Sequence, residues 1–362
     1  MAARARVAAV ATAVTAVAVA GALAALAPPA RPTRGLATPA RTTHVVYDSP
    51  QSVGRSAQVP SAPPGWAGGP TTAATGETVA VYVSPTIAAA DPTAVQRWAD
   101  FLAALPHGPE LSQVTVLIAA AFEVRRLCGA AALGCYDDAS DTLVSIGQDA
   151  PDASAASVLT HEYAHHIENN RLNPPWDPVE YGTKRWASYV DVCKRAASGE
   201  LAPGDEGTSY QENPGELFAE TYRVLAERLH GLPESPWSIV DQSLYPDDAA
   251  LQLVQQDVLD PWTANTTTSY AGLYVKGSGI GRRYLVQTPY DGTFTVSLTE
   301  PARTEFDLRL VDPSTGAVLA LSRTGLGTSR AVTFSVCGQR MLRVGITRIV
   351  GFGPYALQIS KP

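Results

Sequence analysis

The hydrophobic period of the chain changes near residue 262, and that change constrains the fold more than any single motif. Beyond it, TFTVSL (293–298) sets Phe294, Val296 and Leu298 against small polar neighbours, and FDLRL repeats the pattern with Phe306, Leu308 and Leu310. VTFSV and MLRVGI continue it, while Asp291-Gly292 and DPSTG supply turns. A period of two places every second side chain on one face of a strand. Short strands of this kind at roughly ten-residue spacing, with no helical stretch, predict an all-β sandwich over residues 262–362. It holds no grouping of histidine, cysteine and acid that suggests catalysis.

Before residue 262 the texture is mixed. VAVYVS (79–84), VTVLIAA (114–120) and DTLVSIG (141–147) are short β-rich runs. Between the first two, AVQRWADFLAAL has helical spacing, with Val95, Trp98, Phe101 and Leu102 on one face. After the third, a helix capped by Asp152 or Ser154 runs through HEYAHHIENN (161–170). A further helix is expected over 183–197. The fold class is therefore α+β: a catalytic domain over 76–261, followed by the sandwich.

Composition sets the frame. With 362 residues, 45% hydrophobic and 17% charged, the chain suits two globular domains. A net charge of -7 and the lack of any lysine or arginine run argue against nucleic acid as a partner. Arg4 and Arg6 precede an alanine-rich stretch with small residues at Ala22-Leu23-Ala24, which reads as a signal peptide over 1–27 and implies secretion. An uncleaved anchor is the alternative, but alanine is weakly hydrophobic and stable membrane insertion is not expected.

Residues 28–75 hold nine prolines among small residues and read as a linker or propeptide. A thiol in that segment capping a metal is excluded, because the first cysteine is Cys128. Of the three pairings that four cysteines allow, Cys128 with Cys135 is the natural local one, leaving Cys193 and Cys337 for a long-range bridge; a buried thiol at Cys193 is the alternative.

HEYAH concentrates the chemistry. His161 and His165 stand four residues apart, so they project from one helix face a turn apart, the spacing at which two imidazoles grip one divalent ion. Glu162 is rotated about 100° from His161, which suits a base acting on water rather than a ligand. His166 points further round, as a packing or supporting group. The motif's context is an exported protein, a helix and a preceding strand, each a condition it could have failed.

A catalytic zinc site takes a third protein ligand. Residue 168 is Glu and residue 171 is Arg, so no third histidine follows closely behind the helix, and the ligand is expected to be a carboxylate. In YQENPGELFAETYRVLAERLHG (210–231), Asn213 is a natural N-cap, Pro214 fits the first helical position and Gly231 closes the far end. Glu216 then lies in the first turn and Glu220 one turn later on the same face. Glu216 could instead be half of a capping box, but two glutamates on an otherwise apolar face call for a cation. Glu220 is expected to accept the second N–H of a ligating imidazole. Asp205 and Glu206 read as solvated loop.

HEYAH followed by Y-x-x-NPGELFAE resembles the HExxH-plus-Glu zincins, and the E-x-F-A-E helix is similar to that of the anthrax lethal factor catalytic domain. The resemblance covers roughly residues 141–230 and rests on the two helices. It implies Glu216 as the third zinc ligand and Tyr210 as the residue facing the substrate carbonyl, although Tyr210 stands six residues before Glu216, one fewer than in the family pattern. The C-terminal region resembles prepeptidase C-terminal domains of secreted bacterial proteases, a compositional likeness.

The expected function is that of a secreted zinc metalloendopeptidase acting on protein or peptide substrates, with Zn²⁺ held by His161, His165 and Glu216. Glu162 would serve as general base, Tyr210 would stabilise the oxyanion, and strand 141–147 would offer the edge for an extended substrate. The alternatives are a zincin-like scaffold that binds without turnover and a zinc hydrolase of a non-peptide or cell-wall amide bond. Natural substrate, side-chain preference and oligomeric state are not written in the sequence.

Overall fold

The computed structural model describes residues 63–362 except 324 and 328; the signal-peptide reading and most of the proline-rich segment lie outside the described residues. The first module is built on a five-stranded sheet. Its strands are β1 (Ala67–Thr72), β2 (Thr78–Val83), β3 (Thr115–Ala119), β4 (Gly134–Asp137) and β5 (Thr142–Ile146), in the order β1-β2-β3-β5-β4. β2, β3 and β5 run parallel, the outer two antiparallel. The three interior strands are those whose apolar runs predicted them.

Two strands were not anticipated. β1 lies in AGGPTT, inside the segment read as linker, so the folded chain begins before Thr78. It pairs with β2 along its whole length and is mostly exposed, so it carries no apolar period that sequence reading could detect. β4 begins at the end of the Cys128–Cys135 loop, runs on to Asp137 and forms the end of the sheet. This corrects the expectation for strand 141–147: β5 is flanked by β3 and β4 and has no open edge.

The first helices are α1 (Pro85–Ala90), α2 (Ala94–Ala104), α3 (Ala121–Cys128) and α4 (Ala155–Asn169). In α2, Trp98 and Leu102 are buried as the spacing predicted. α4 starts at Ser154, whose side chain accepts from the Ser157 amide. The chain continues through α5 (Pro178–Tyr181), α6 (Lys184–Tyr189) and α7 (Val192–Ala197), then α8 (Pro214–His230) and α9 (Asp248–Leu259). α8 has the predicted ends: Asn213 accepts from the Gly215 amide, Pro214 opens the first turn, and Gly231 is left-handed at φ 61.

The single helix expected over 183–197 is two, because Asp191 adopts φ 58 between α6 and α7. The break re-aims the chain so that Cys193 meets Cys337. Both expected disulfides form, Cys128–Cys135 and Cys193–Cys337, with Cα separations of 5.7 and 5.4 Å.

The second module has strands β6 (Thr266–Tyr274), β7 (Gly281–Gln287), β8 (Gly292–Thr299), β9 (Glu305–Val311), β10 (Val318–Ser322), β11 (Arg330–Val336), β12 (Met341–Val350) and β13 (Gly353–Lys361). They form two four-stranded antiparallel sheets, β10-β9-β12-β7 and β11-β8-β13-β6. Phe294, Val296 and Leu298 of one sheet and Phe306, Leu308 and Leu310 of the other are fully buried in the shared core, as the alternation required. Polar contacts join the modules beside the long-range disulfide. Lys184 donates to the carbonyls of Pro174 and Asp291, each at 2.9 Å, and Arg340 donates to the Ser188 carbonyl at 2.7 Å. No helix among the described residues is long and apolar enough to cross a membrane.

Candidate metal centre

α4 lies between the sheet and α8, packed against β5 and β4 on one side and α8 on the other. That position buries it on nearly every face. His161 and His165 look across to the first two turns of α8, which carry Glu216 and Glu220. Nε2 of His161 lies 3.1 Å from Oε2 of Glu216 and 3.3 Å from Nε2 of His165, and His165 Nε2 lies 3.6 Å from Oε1 of Glu216. The three side chains form a buried group able to hold a metal ion. In a tetrahedron of bonds near 2.0 Å, donor atoms stand about 3.3 Å apart, so the three separations suit a zinc-sized ion.

The opposite side of each ring supports this. His161 Nδ1 lies 3.2 Å from Glu220, and His165 Nδ1 lies 2.9 Å from Glu168. A carboxylate behind each imidazole accepts the Nδ1–H hydrogen bond and leaves the Nε2 lone pair directed toward Glu216. Glu220 thus stands where the sequence placed it. Glu168 was missed as a supporting residue, although its spacing of three from His165 is a legible signal on a helix.

Charge is balanced behind α8. Arg223 donates to both oxygens of Glu220 at 2.8 and 2.7 Å and to Glu227 at 2.7 Å, and Glu227 accepts from Ser157 of α4 at 3.1 Å. Burial drives the Glu220 carboxyl upward, but the Arg223 guanidinium outweighs it and holds the group below the usual carboxylate range. Burial pulls the His161 imidazole down, whereas Glu216 and Glu220 raise it to about 9. Burial opposes the charge on Glu216, yet the two imidazoles keep its carboxyl well below the ordinary value. Burial pushes the Glu168 carboxyl well up, with His165 opposing. Without a metal, then, the cluster holds protons that a cation would displace.

Glu162 is fully buried and turned toward the end strand of the sheet. A Cβ on Gly134 of β4 would collide with the Glu162 carboxylate, so this glycine makes the space the acid occupies. The Cys128–Cys135 bridge ties the next residue of β4 to the end of α3. Tyr210 is brought to the site as well: its hydroxyl donates to Glu216 Oε2 at 2.6 Å. His166 faces away, with Nε2 2.9 Å from the Glu110 carbonyl and Nδ1 3.0 Å from the Tyr136 hydroxyl, a packing role. Asp205 and Glu206 stay in a loop near the start of α8, where Glu206 accepts from Asn213 at 2.9 Å.

No protein-family model and no curated protein matches the chain. Among solved structures it is similar to the pre-peptidase C-terminal domain of a collagenase from Bacillus anthracis, at 17% identity and a TM-score of 0.22 over 26% of this chain and 89% of that one. It is also similar to the Yersinia pseudotuberculosis-derived mitogen, at 11% identity and a TM-score of 0.21 over 27% of this chain and 87% of that one. At such scores the likeness carries no argument for fold or activity.

Proposed function

We propose that the chain is a zinc-dependent endopeptidase whose centre is His161, His165 and Glu216. The observation that carries this reading is the convergence of two imidazole nitrogens and one carboxylate at 3.1 to 3.6 Å, each ring backed by its own carboxylate. Zinc bound there would supply Lewis acidity and bring the pKa of a water toward neutrality.

The chain's own groups account for the remaining steps. Glu220 and Glu168 fix the tautomer and tilt of the two rings. Glu162, next to His161 and seated against Gly134, accepts the proton of the attacking water and returns it to the departing amine. Tyr210 holds Glu216 in orientation through its 2.6 Å hydrogen bond. The same hydroxyl, turned from Glu216 toward the substrate, would donate to the carbonyl oxygen as negative charge develops. Because β5 is enclosed, we place an extended peptide along β4, the strand that ends the sheet beside Glu162. The two disulfides fit an oxidising compartment, and the signal-type pattern read in residues 1–27 is consistent with secretion.

The test is hydrolysis of casein and a peptide library by the zinc-loaded mature protein, with cleavage sites mapped by mass spectrometry. Chelator-sensitive internal cleavage is expected. Clearing of peptidoglycan with casein left intact would reassign the centre to a cell-wall amide, and stoichiometric zinc with no hydrolysis of either would leave a binding scaffold.

A further inference from the structure

The outer face of the β10-β9-β12-β7 sheet carries a concentration of positive charge that the metal centre does not use. Gly345 on β12 stands directly between Arg283 of β7 and Arg309 of β9 in the strand register. A Cβ at Gly345 would lie 3.0 Å from Nε of Arg309, so the Arg309 side chain crosses the bare backbone toward Arg283. Next to this position, toward Thr347, the residues Ile280, Gly281, Arg282, Arg283, Arg309 and Thr347 line an open hollow of about 520 Å³. Two residues along β12, Arg343 adds a third cation to the same face.

These arginines are not spoken for. Among the described residues, Arg283, Arg309 and Arg343 pair with no carboxylate. Asp307, the acid nearest the hollow, is bonded to Arg323 at 3.2 Å, and Glu305 stands two residues further away. Arg282 lies 4.9 Å over the Tyr274 ring. The concentration is local, since the whole chain has a net charge of -7.

Each guanidinium presents a planar fork of donors matched to carboxylate, sulfate or phosphate. Neighbouring side chains on one face of a strand repeat at about 7 Å, so the Arg283/Arg309 pair and Arg343 can meet successive charges on one chain. The face carries no aromatic platform among the described residues, and stacking on such platforms is how single-stranded nucleic acid is held.

We propose that this face binds an acidic polysaccharide, with one carboxylate or sulfate group seated between Arg283 and Arg309 above Gly345 and another at Arg343. The sandwich would then hold the protein on an anionic extracellular matrix independently of the metal centre.

The full mature chain is tested for binding to immobilised dextran sulfate and polygalacturonate, with neutral dextran as reference, across a salt series. The expected result is salt-sensitive binding to either or both acidic polymers and none to dextran. Arg283→Ala/Arg309→Ala should lower affinity at least about tenfold, whereas Arg125→Ala/Arg126→Ala, which removes two exposed charges from α3, should leave it within about twofold. Gly345→Leu keeps every charge and fills the position between Arg283 and Arg309, so it should weaken binding as well. The proposal is overturned if wild type binds neither acidic polymer, if both double variants lose affinity equally, or if Gly345→Leu is neutral. Equally tight binding to anionic phospholipid vesicles or single-stranded DNA would overturn the polysaccharide assignment.

Discussion

Between β8 and β13 the sandwich buries Phe294, Val296, Leu298, Leu357 and Ile359, an apolar row made by strict alternation. Between α4 and α8 the first module buries His161, Glu162, His165, Glu168, Glu216, Glu220, Arg223 and Glu227. The sandwich also buries charge, but in local pairs: Arg330 donates to Glu300 at 2.8 Å, and the buried Asp291 is paired with Arg340. Ionised groups taken out of water demand partners, and a pair satisfies that demand locally. The α4–α8 interface is different in kind: His161, His165 and Glu216 point at a common position, with Glu220 and Glu168 behind the two rings. A structure that needed only stability would gain by replacing that cluster with apolar side chains. The difference separates a buried group that could hold a metal ion from a core that only holds the molecule together.

The largest effects are expected from substitutions that separate metal holding from proton transfer. Glu216→Ala should abolish stoichiometric zinc after dialysis at limiting metal, and hydrolysis with it. Glu162→Gln should keep zinc near wild type and lower turnover by about 10² to 10⁴-fold, the usual range for a lost general base. Bound zinc and hydrolysis measured on the same samples decide this; loss of zinc in Glu162→Gln together with its retention in Glu216→Ala would reverse the roles.

Gly134→Ala should come next. It adds one methyl group where the Glu162 carboxylate sits, so zinc should stay while turnover falls by about 10²-fold, as expected for a small displacement of a reacting group. Glu168→Gln and Glu220→Ala act behind the rings and should each weaken zinc affinity by about 10 to 100-fold, with rescue by excess zinc. Equal zinc affinity in both variants and wild type would show that the carboxylates serve packing alone.

Proton competition gives an effect of intermediate size. The metal-free site raises His161 to about 9, above its ordinary value near 6.5. Stability from that proton is therefore present in full below about pH 6.5 and is lost as pH rises through about 9. Zinc displaces the proton, so the Tm difference between zinc-loaded and metal-free protein should widen over that interval. A narrowing difference would contradict the arrangement.

The smallest effect on chemistry should come from the sandwich. Leu308→Ala should destabilise by about 2 to 5 kcal/mol, read as a shift in denaturation midpoint, with zinc affinity unchanged. Removing the Cys193–Cys337 bridge as a Ser/Ser variant should cost about 2 to 5 kcal/mol, toward the upper end for a loop of 144 residues, again without altering the metal. Loss of zinc in either variant would mean that the modules share the site after all.

How much could be read in advance divides along the same lines. β8, β9, β11 and β12 announce themselves through a period of two, and α4 and α8 through caps at Ser154, Asn213 and Gly231. The grouping of His161, His165 and Glu216, which could hold a metal ion, rests on a spacing of four on one helix and a carboxylate in the first turn of another. What escaped lacked a local period or depended on neighbours. β1 is an exposed Gly/Pro strand held by β2, and β4 is only four residues long and starts at the end of a disulfide loop. The turn at Asp191 is a single left-handed residue inside a helical pattern, and α9 carries no motif. The mistaken edge at 141–147 has the same origin, since sheet order is a long-range property that an apolar run does not encode.

The most direct test of the central claim is a zinc-edge anomalous difference map from crystals of the zinc-loaded protein. One peak is expected, bonded to His161 Nε2, His165 Nε2 and a Glu216 oxygen at about 2.0 to 2.2 Å. A peak coordinated by other residues, or none at this position in protein carrying stoichiometric zinc, would contradict the account.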